Sequence, residues 1–274
     1  CSGAMVEPSV SVSRGSGAWF FRSKHVVAQN NVAAFSRGHN DSAGIHVDYN
    51  NENILVQYNF TYDNEGYGTE ILGKNKNIIW RYNISVGDGT RKTNVTRPEG
   101  GKSQNPGKTL HVSDFAKPER EPSTGVYIYN NTYLISAESE PNIELTAKNL
   151  QLWNNLFIVQ ESGELGKRVY VGVPKKSINM QGNGFSGDIS SKFVKLDSLP
   201  NMLELSATGV LSTPESFAFE REKVKASSGI VKNQHPTFPA AGTGIFSHIS
   251  EIPAEDFFGN LLDENSQVMG AGTN

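Results

Sequence analysis

The chain has a single cysteine, at its first position, so no disulfide can close within it and the lone thiol supports no metal site. It contains no run of about 18 apolar residues, the length a bilayer-spanning helix needs. No signal peptide and no initiator Met open it. The start at Cys1-Ser-Gly fits either the lipidated first residue of a mature lipoprotein or an excerpt from a longer chain. A strong charge of one sign is missing too. The formal net charge is −3, which points neither to nucleic acid nor to a membrane surface as partner. Apolar residues make up 36%, low for a compact α/β enzyme, whereas 27 glycines and many asparagines imply frequent tight turns. At 274 residues the chain is long enough for one large domain or two ordinary ones.

What the sequence does contain is a repeat. "GIHVDYNNENILVQYN" at 44–59 and "GTEILGKNKNIIWRYN" at 68–83 align at a shift of 24. The period extends through "VVAQNNVAA" (26–34), "ILVQYNFTY" (54–62), "IIWRYNISV" (78–86), "VYIYNNTYL" (126–134), "LQLWNNLFI" (150–158) and, more weakly, "INMQGNGF" (178–185). Asn31, Asn59, Asn83, Asn131, Asn155 and Asn183 share one position, at spacings of 28, 24, 48, 24 and 28. The 48 holds one coil plus an insertion. A period in the twenties marks a solenoid, and the leucine-rich consensus of the other repeat of that length is absent. Ile54 and Val56, Ile78 and Trp80, Val126 and Ile128, and Leu150 and Leu152 alternate in twos, which is strand periodicity. Three short strands per turn with Asn at a corner predict an all-β, right-handed parallel β-helix. Asn suits that corner because it tolerates left-handed backbone and its amide can bond the coils on either side.

The stretch from Gly44 through "VGDGTR" resembles the β-helix core of secreted, polysaccharide-degrading enzymes of the pectate-lyase-like superfamily. The closing "SSGIVKN", "AAGTGI" and "DFFGNLLDENSQVMGAG" are similar to the C-terminal segment that packs along the last coils in such proteins. The resemblance implies coils over 1–190, with an insertion loop at 87–108, and a capping segment over 191–274. It also implies earlier coils missing before residue 15, with "AMVEPSVSVS" at 4–13 as a piece of one, and a secreted, periplasmic or cell-surface location. Such a fold hosts lyases, hydrolases and non-catalytic adhesins alike.

Strand alternation selects a candidate site. With Ile45, Val47, Ile71, Leu110, Val112, Ile143 and Leu145 inward, one outward column reads His46, Glu70, His111, Glu144, turned to water. The column two residues on reads Asp48, Leu72, Ser113, Thr146. Adjacent coils lie about 4.8 Å apart, so both imidazoles should touch Glu70, with Asp48 diagonal to it. Three readings stay open: an acid/base cluster, a polar cross-strand ladder, and a metal site of His46, Asp48, Glu70 and His111. In the first, Glu70 is the general acid/base, Asp48 its partner, and His46 and His111 tune protonation.

Around the column, Tyr49 can stack a sugar or pack on the next coil. The insertion carries Arg91, Lys92, Arg97, Lys102 and Lys108, a positive surround that suits uronate or sulfate groups; Arg91, at its root, is expected to be ordered. The turn "YDNEGYG" offers Asp63, Glu65 and Tyr67, which line the groove, bind calcium, or form a plain polar turn. Gln57, Arg81, Tyr129 and Trp153 form a second outward column expected to lie under the C-terminal tail, and Trp19 is expected in core or interface. The sequons at Asn59 and Asn83 coincide with corner asparagines. The functional expectation is a glycoside hydrolase on an acidic or decorated polysaccharide. The alternatives are a polysaccharide lyase with His111, His46 or Tyr49 as base, and a non-catalytic carbohydrate binder. No cofactor is required by the sequence.

Overall fold

In a computed structural model, residues 15–94, 96, 102–103, 105–204, 254–262 and 269–271 are described. Residues 4–13, Cys1, Arg97 and most of 191–274 lie outside them. The described chain winds as a right-handed parallel β-helix with three strands per coil. Strands are numbered in chain order. The first sheet holds β1 (Ala18–Phe20), β4 (Ile45–Val47), β7 (Tyr67–Ile71), β10 (Lys108–Val112), β13 (Asn142–Leu145) and β16 (Val169–Val171). The second holds β2 (Lys24–Gln29), β5 (Glu52–Gln57), β8 (Lys76–Arg81), β11 (Thr124–Tyr129), β14 (Lys148–Trp153) and β17 (Ile178–Gln181). The third holds β3 (Val32–Ala34), β6 (Phe60–Tyr62), β9 (Ile84–Val86), β12 (Thr132–Ile135), β15 (Leu156–Val159), β18 (Gly184–Ser186) and β19 (Asn201–Met202). β19 extends the third sheet past position 190. β8 pairs directly with β11, so the 48-residue interval is one coil carrying its insertion.

The alternation seen in the sequence fills the interior. Ile54, Val56, Ile78, Trp80, Val126, Ile128, Leu150 and Leu152 are buried in one core with Ile45, Val47, Ile71, Leu110 and Val112. Tyr133, Phe157 and Phe185 stack through this core at 5.0 and 5.7 Å between ring centroids, nearly coplanar. Phe193, on the short helix α1 (Ser191–Val194), meets Phe157 edge-on at 5.2 Å and closes that end of the stack.

The corners are where register is set. Asn131 Nδ2 donates to Trp80 O, to Tyr129 O and to Asn155 Oδ1 at 2.9–3.0 Å, while its own Oδ1 accepts from Asn83 N and Nδ2 at 3.0 Å. The pattern repeats from Asn31 to Asn183, and Asp197 accepts the last pair. Two further ladders, not recognised in the sequence, hold the other corners. Asn51, Asn75 and Ser123 link the first sheet to the second, and Asn64 and Asp88 link the third to the first.

The expectation that these asparagines are themselves left-handed is corrected. The positive φ falls on the residue just before each ladder residue, at Asn30, Tyr58, Tyr82, Asn130, Asn154 and Gly182. The same holds for Asn50 and Lys74 at the second corner, and for Phe35, Asp63 and Gly87 at the third. One left-handed residue turns the chain through the corner, and the next aims its amide along the stack. Holding Tyr58 at φ 54 and Tyr82 at φ 49 is costly for side chains of that size, and the amide bonds offset the cost.

The second outward column is buried. Arg81 Nε donates to Gln57 Oε1 at 2.9 Å and its Nη1 to Tyr129 Oη at 3.0 Å. Leu262 packs against the cluster of Leu55, Ile79, Tyr82, Tyr129 and Trp153, and Tyr58 Oη donates to Glu255 O at 2.8 Å. Ala271 N donates to Thr132 Oγ1 at 2.9 Å. The described parts of the tail therefore lie along the corner between second and third sheets, reaching back to the Tyr58 coil.

Two predictions follow from the ladders. Asn131→Ala orphans several buried donors and acceptors, each worth about 1–3 kcal/mol, and should cost about 3–4 kcal/mol in urea unfolding; Asn31→Ala, at the exposed end, should cost about 1 kcal/mol. Burial raises the Asp88 carboxyl from 3.8 to about 6, against hydrogen bonds from Thr61, Ser85 and Asn64 that act the other way. A raised acid pKa stabilises the fold at low pH, and that contribution is lost as pH rises from about 4 to 6, by about 3 kcal/mol at most. Asp88→Asn should flatten this slope in melts run across that window.

Candidate functional site

Parallel pairing stacks the first sheet in register along the column, with one shift between Lys108 and Leu110 where β10 meets β13. Trp19 pairs with His46, His46 with Glu70, Glu70 with His111, His111 with Glu144, and Glu144 with Tyr170. The column is as read from the sequence, and it points away from the apolar core. It does not stand in open water, however. His46, Glu70 and His111 are buried, and Glu70 is 0% exposed. That is a correction, and its cause is a loop the repeat does not contain.

The cover is built by Arg91. Its Nε donates to Asn105 O at 2.6 Å, and its Nη1 donates to Gly38 O at 3.2 Å and Asp41 O at 3.1 Å. One buried guanidinium thus ties the insertion to the loop at 38–41, which brings Asp41 to the column. The same guanidinium lies 5.2 Å from the Tyr67 ring centroid, and Lys108 Nζ lies 4.9 Å from it. The Tyr67 ring in turn sits 4.1 Å from the His111 ring.

Within the column, carboxylates and imidazoles alternate. His46 Nδ1 is 3.4 Å from Glu70 Oε2, and His111 Nδ1 is 3.5 Å from Glu70 Oε1. On their far sides, His46 Nε2 is 4.0 Å from Asp48 Oδ1, and His111 Nε2 is 3.5 Å from Glu144 Oε2. None of the contacts to Glu70 is aligned as a hydrogen bond: both its oxygens, His46 Nε2, His111 Nδ1 and Arg91 Nη2 are buried without a hydrogen-bond partner. Burial holds the His46 imidazole down to about 3 and the His111 imidazole well below its usual value. Burial, then the charge of Asp41, raises the Glu70 carboxyl well above the carboxylate range. Lys108 is lowered by burial, which its attraction to Glu144 opposes.

A cavity of about 660 Å³ opens over this column. Asp48, Leu72, Ser113 and Glu144 border it, with Tyr49, Phe21 and Phe115 forming an aromatic rim. Tyr49 meets Phe21 edge-on at 4.9 Å and Phe115 at 6.1 Å. Trp19 is 63% exposed, so it is not in the core, one of the two places expected for it. It stacks on His46 at 5.9 Å and donates its Nε1–H to Asp48 Oδ2 at 2.9 Å; Asp48 Oδ1 accepts from Tyr49 N at 2.8 Å.

The remaining expected residues separate. Tyr67 borders the cavity, whereas Asp63 and Glu65 are turned to Arg37, and Glu65 Oε2 accepts from Gly38 N at 3.2 Å. Glu65 therefore braces the covering loop from outside the cavity. Asp41, Phe21 and Phe115 were missed. Trp19 could have been found by extending the alignment, because "GAWFF" lies over "GIHVD" from Gly17 and Gly44; Asp41 sits in a loop between coils and carries no periodic signal.

Fold and cavity together define the chain as a right-handed parallel β-helix with a covered acid–imidazole column on one sheet. Comparison with family models and with curated proteins finds no match.

Of the three tryptophans, Trp80 and Trp153 are buried and Trp19 is not. Acrylamide should therefore quench a single accessible component of the fluorescence. That component should vanish in Trp19→Phe, with no change in the melting temperature beyond a few degrees.

Proposed function

We propose that the chain is a carbohydrate-active enzyme of the pectate-lyase-like kind, which hydrolyses a glycosidic bond in an acidic or decorated polysaccharide. The observation that carries this reading is the cavity itself: an aromatic rim of Trp19, Phe21, Tyr49 and Phe115 above carboxylates and imidazoles. Aromatic faces stack on sugar rings, and hydroxyl-rich ligands need the paired donors and acceptors of the floor. Lys108 at the floor, with Lys117 and Arg120 at the rim, suits anionic groups on the sugar. Polysaccharides of this kind lie outside the cell, so a secreted or surface location goes with the reading.

Hydrolysis needs a group that gives a proton to the leaving oxygen and a carboxylate that receives the attack or activates water. Asp48 borders the cavity with its carboxylate held by Trp19 and Tyr49, and fits the second role. Glu70 lies beneath the imidazoles with both oxygens sealed, and burial favours its protonated form, so it serves as a proton source behind the cavity wall. His111, kept neutral by burial, passes a proton from Nε2 to the leaving oxygen as its Nδ1, 3.5 Å from Glu70 Oε1, takes one from that carboxyl. Two coil steps of about 4.8 Å and two residues along the strand separate Asp48 from His111, which leaves room between them for a sugar unit and a water.

A second reading, β-elimination on a uronate, is favoured by one observation: His111 stands beside Lys108 and Tyr67, so a neutral imidazole can take a C5 proton while the cation faces the substrate carboxylate. Incubation with polygalacturonate, alginate and xylan separates the outcomes. New reducing ends without ultraviolet absorbance mean hydrolysis, and an absorbing unsaturated product means elimination. Asp48→Asn should cut hydrolysis by about 10²–10⁴-fold with binding retained. Binding of a polysaccharide without turnover in the wild type would sink the enzymatic reading and leave a carbohydrate-binding module.

A further inference from the structure

We propose that Asp41, His46 and Glu70 bind one divalent transition-metal ion of the zinc type, at the floor of the cavity. One ligand atom from each of the three side chains can be chosen so that all lie within 4.8 Å of one another. His46 Nδ1 and Glu70 Oε2 are 3.4 Å apart, which is about the edge of a tetrahedron whose metal bonds are roughly 2.1 Å long.

An independent observation points to a ligand at this place. Both Glu70 oxygens are buried without a hydrogen-bond partner, although two imidazoles stand at 3.4 and 3.5 Å from them. Buried polar atoms in native proteins are almost always satisfied, and a concentration of unsatisfied ones marks a bound water or ion. Water would satisfy single atoms. Two carboxylates converging on an imidazole within ligand distance of one another make a donor set for a cation. Arg91 and Lys108 attract the Glu70 carboxylate through their charge, but neither hydrogen-bonds it, so both oxygens are left to an ion.

The donor set narrows the ion. One imidazole nitrogen with two carboxylate oxygens suits zinc or manganese better than calcium, which takes six to eight oxygens. Three protein ligands leave a fourth position toward the cavity, the arrangement of catalytic rather than structural zinc. His111, with Nδ1 at 3.5 Å from Glu70 Oε1, braces a ligand from outside the set. Arg91 brings the Asp41 loop into place, so the insertion and the first coils must both be folded before the set exists. This inference does not depend on the substrate being a polysaccharide.

The test strips the purified chain with chelator, re-equilibrates it separately with zinc, manganese and calcium, desalts it, and measures metal per chain by mass spectrometry alongside the melting temperature. About one zinc or manganese ion per chain is expected, with a raised melting temperature. His46→Ala and Asp41→Asn should each weaken affinity by more than the roughly 10–100-fold typical of outer-shell changes. Asp41→Asn keeps the loop's size and the Asp41 carbonyl contact, so it reports on the ligand even where His46→Ala fails to fold. Wild-type chain that retains no ion, retains calcium alone, or binds zinc equally well after Asp41→Asn overturns the proposal.

Discussion

Buried asparagine ladders at the corners are the constraint on which everything else depends. In a solenoid the strands of each coil meet only those of its two neighbours, so register is set locally, coil by coil. Slip along a strand by one residue would turn every core side chain outward. Here the turn into each ladder asparagine is made by one left-handed residue, and the ladder amide then bonds the backbone of its own coil and the amide of the next. One ladder runs the length of the stack and two shorter ones join it in the earlier coils, which pins the register of the strands. The cost of a left-handed Tyr58 or Tyr82 persists because these bonds over-determine the geometry.

The site is a consequence of that register. A repeat of 24 residues in sequence becomes about 4.8 Å in space, so residues far apart in the chain form a file of side chains at contact distance. Charged groups at that spacing are tolerable only because carboxylates and imidazoles alternate. Had Glu70 and Glu144 occupied adjacent coils, like charges would face each other beneath a low-dielectric cover. Burial acts on the column in one direction, disfavouring charge on Glu70 and on both imidazoles, so the file can be close to neutral as a whole. A cation at its floor would reverse that balance locally and draw Glu70 into its ionised form.

The cover over the column comes from outside the repeat. Arg91 is held by carbonyls of the 38–41 loop and of Asn105, so a single side chain joins the insertion to an early coil and shapes the cavity wall. Residues that depart from the period, such as Asp41 and Phe115, therefore supply the parts of the site that differ from coil to coil. The periodic residues supply the platform. This division is the usual one between scaffold and loop, expressed within a single winding chain.

The sequence by itself determined the fold and the file His46, Glu70, His111, Glu144, because a period of 24 with alternation in twos admits few other stackings. It also located Arg91 at the root of the insertion. Periodicity did not reveal the second and third ladders, whose members vary among Asn, Ser and Asp, nor the left-handed residue that precedes each ladder asparagine. Only the tertiary structure decided that the column is buried, that Trp19 reaches over His46 to Asp48, and that Asp41 joins them. These contacts connect aperiodic loops to periodic strands, and their closure depends on the three-dimensional path of the chain rather than on any spacing along it.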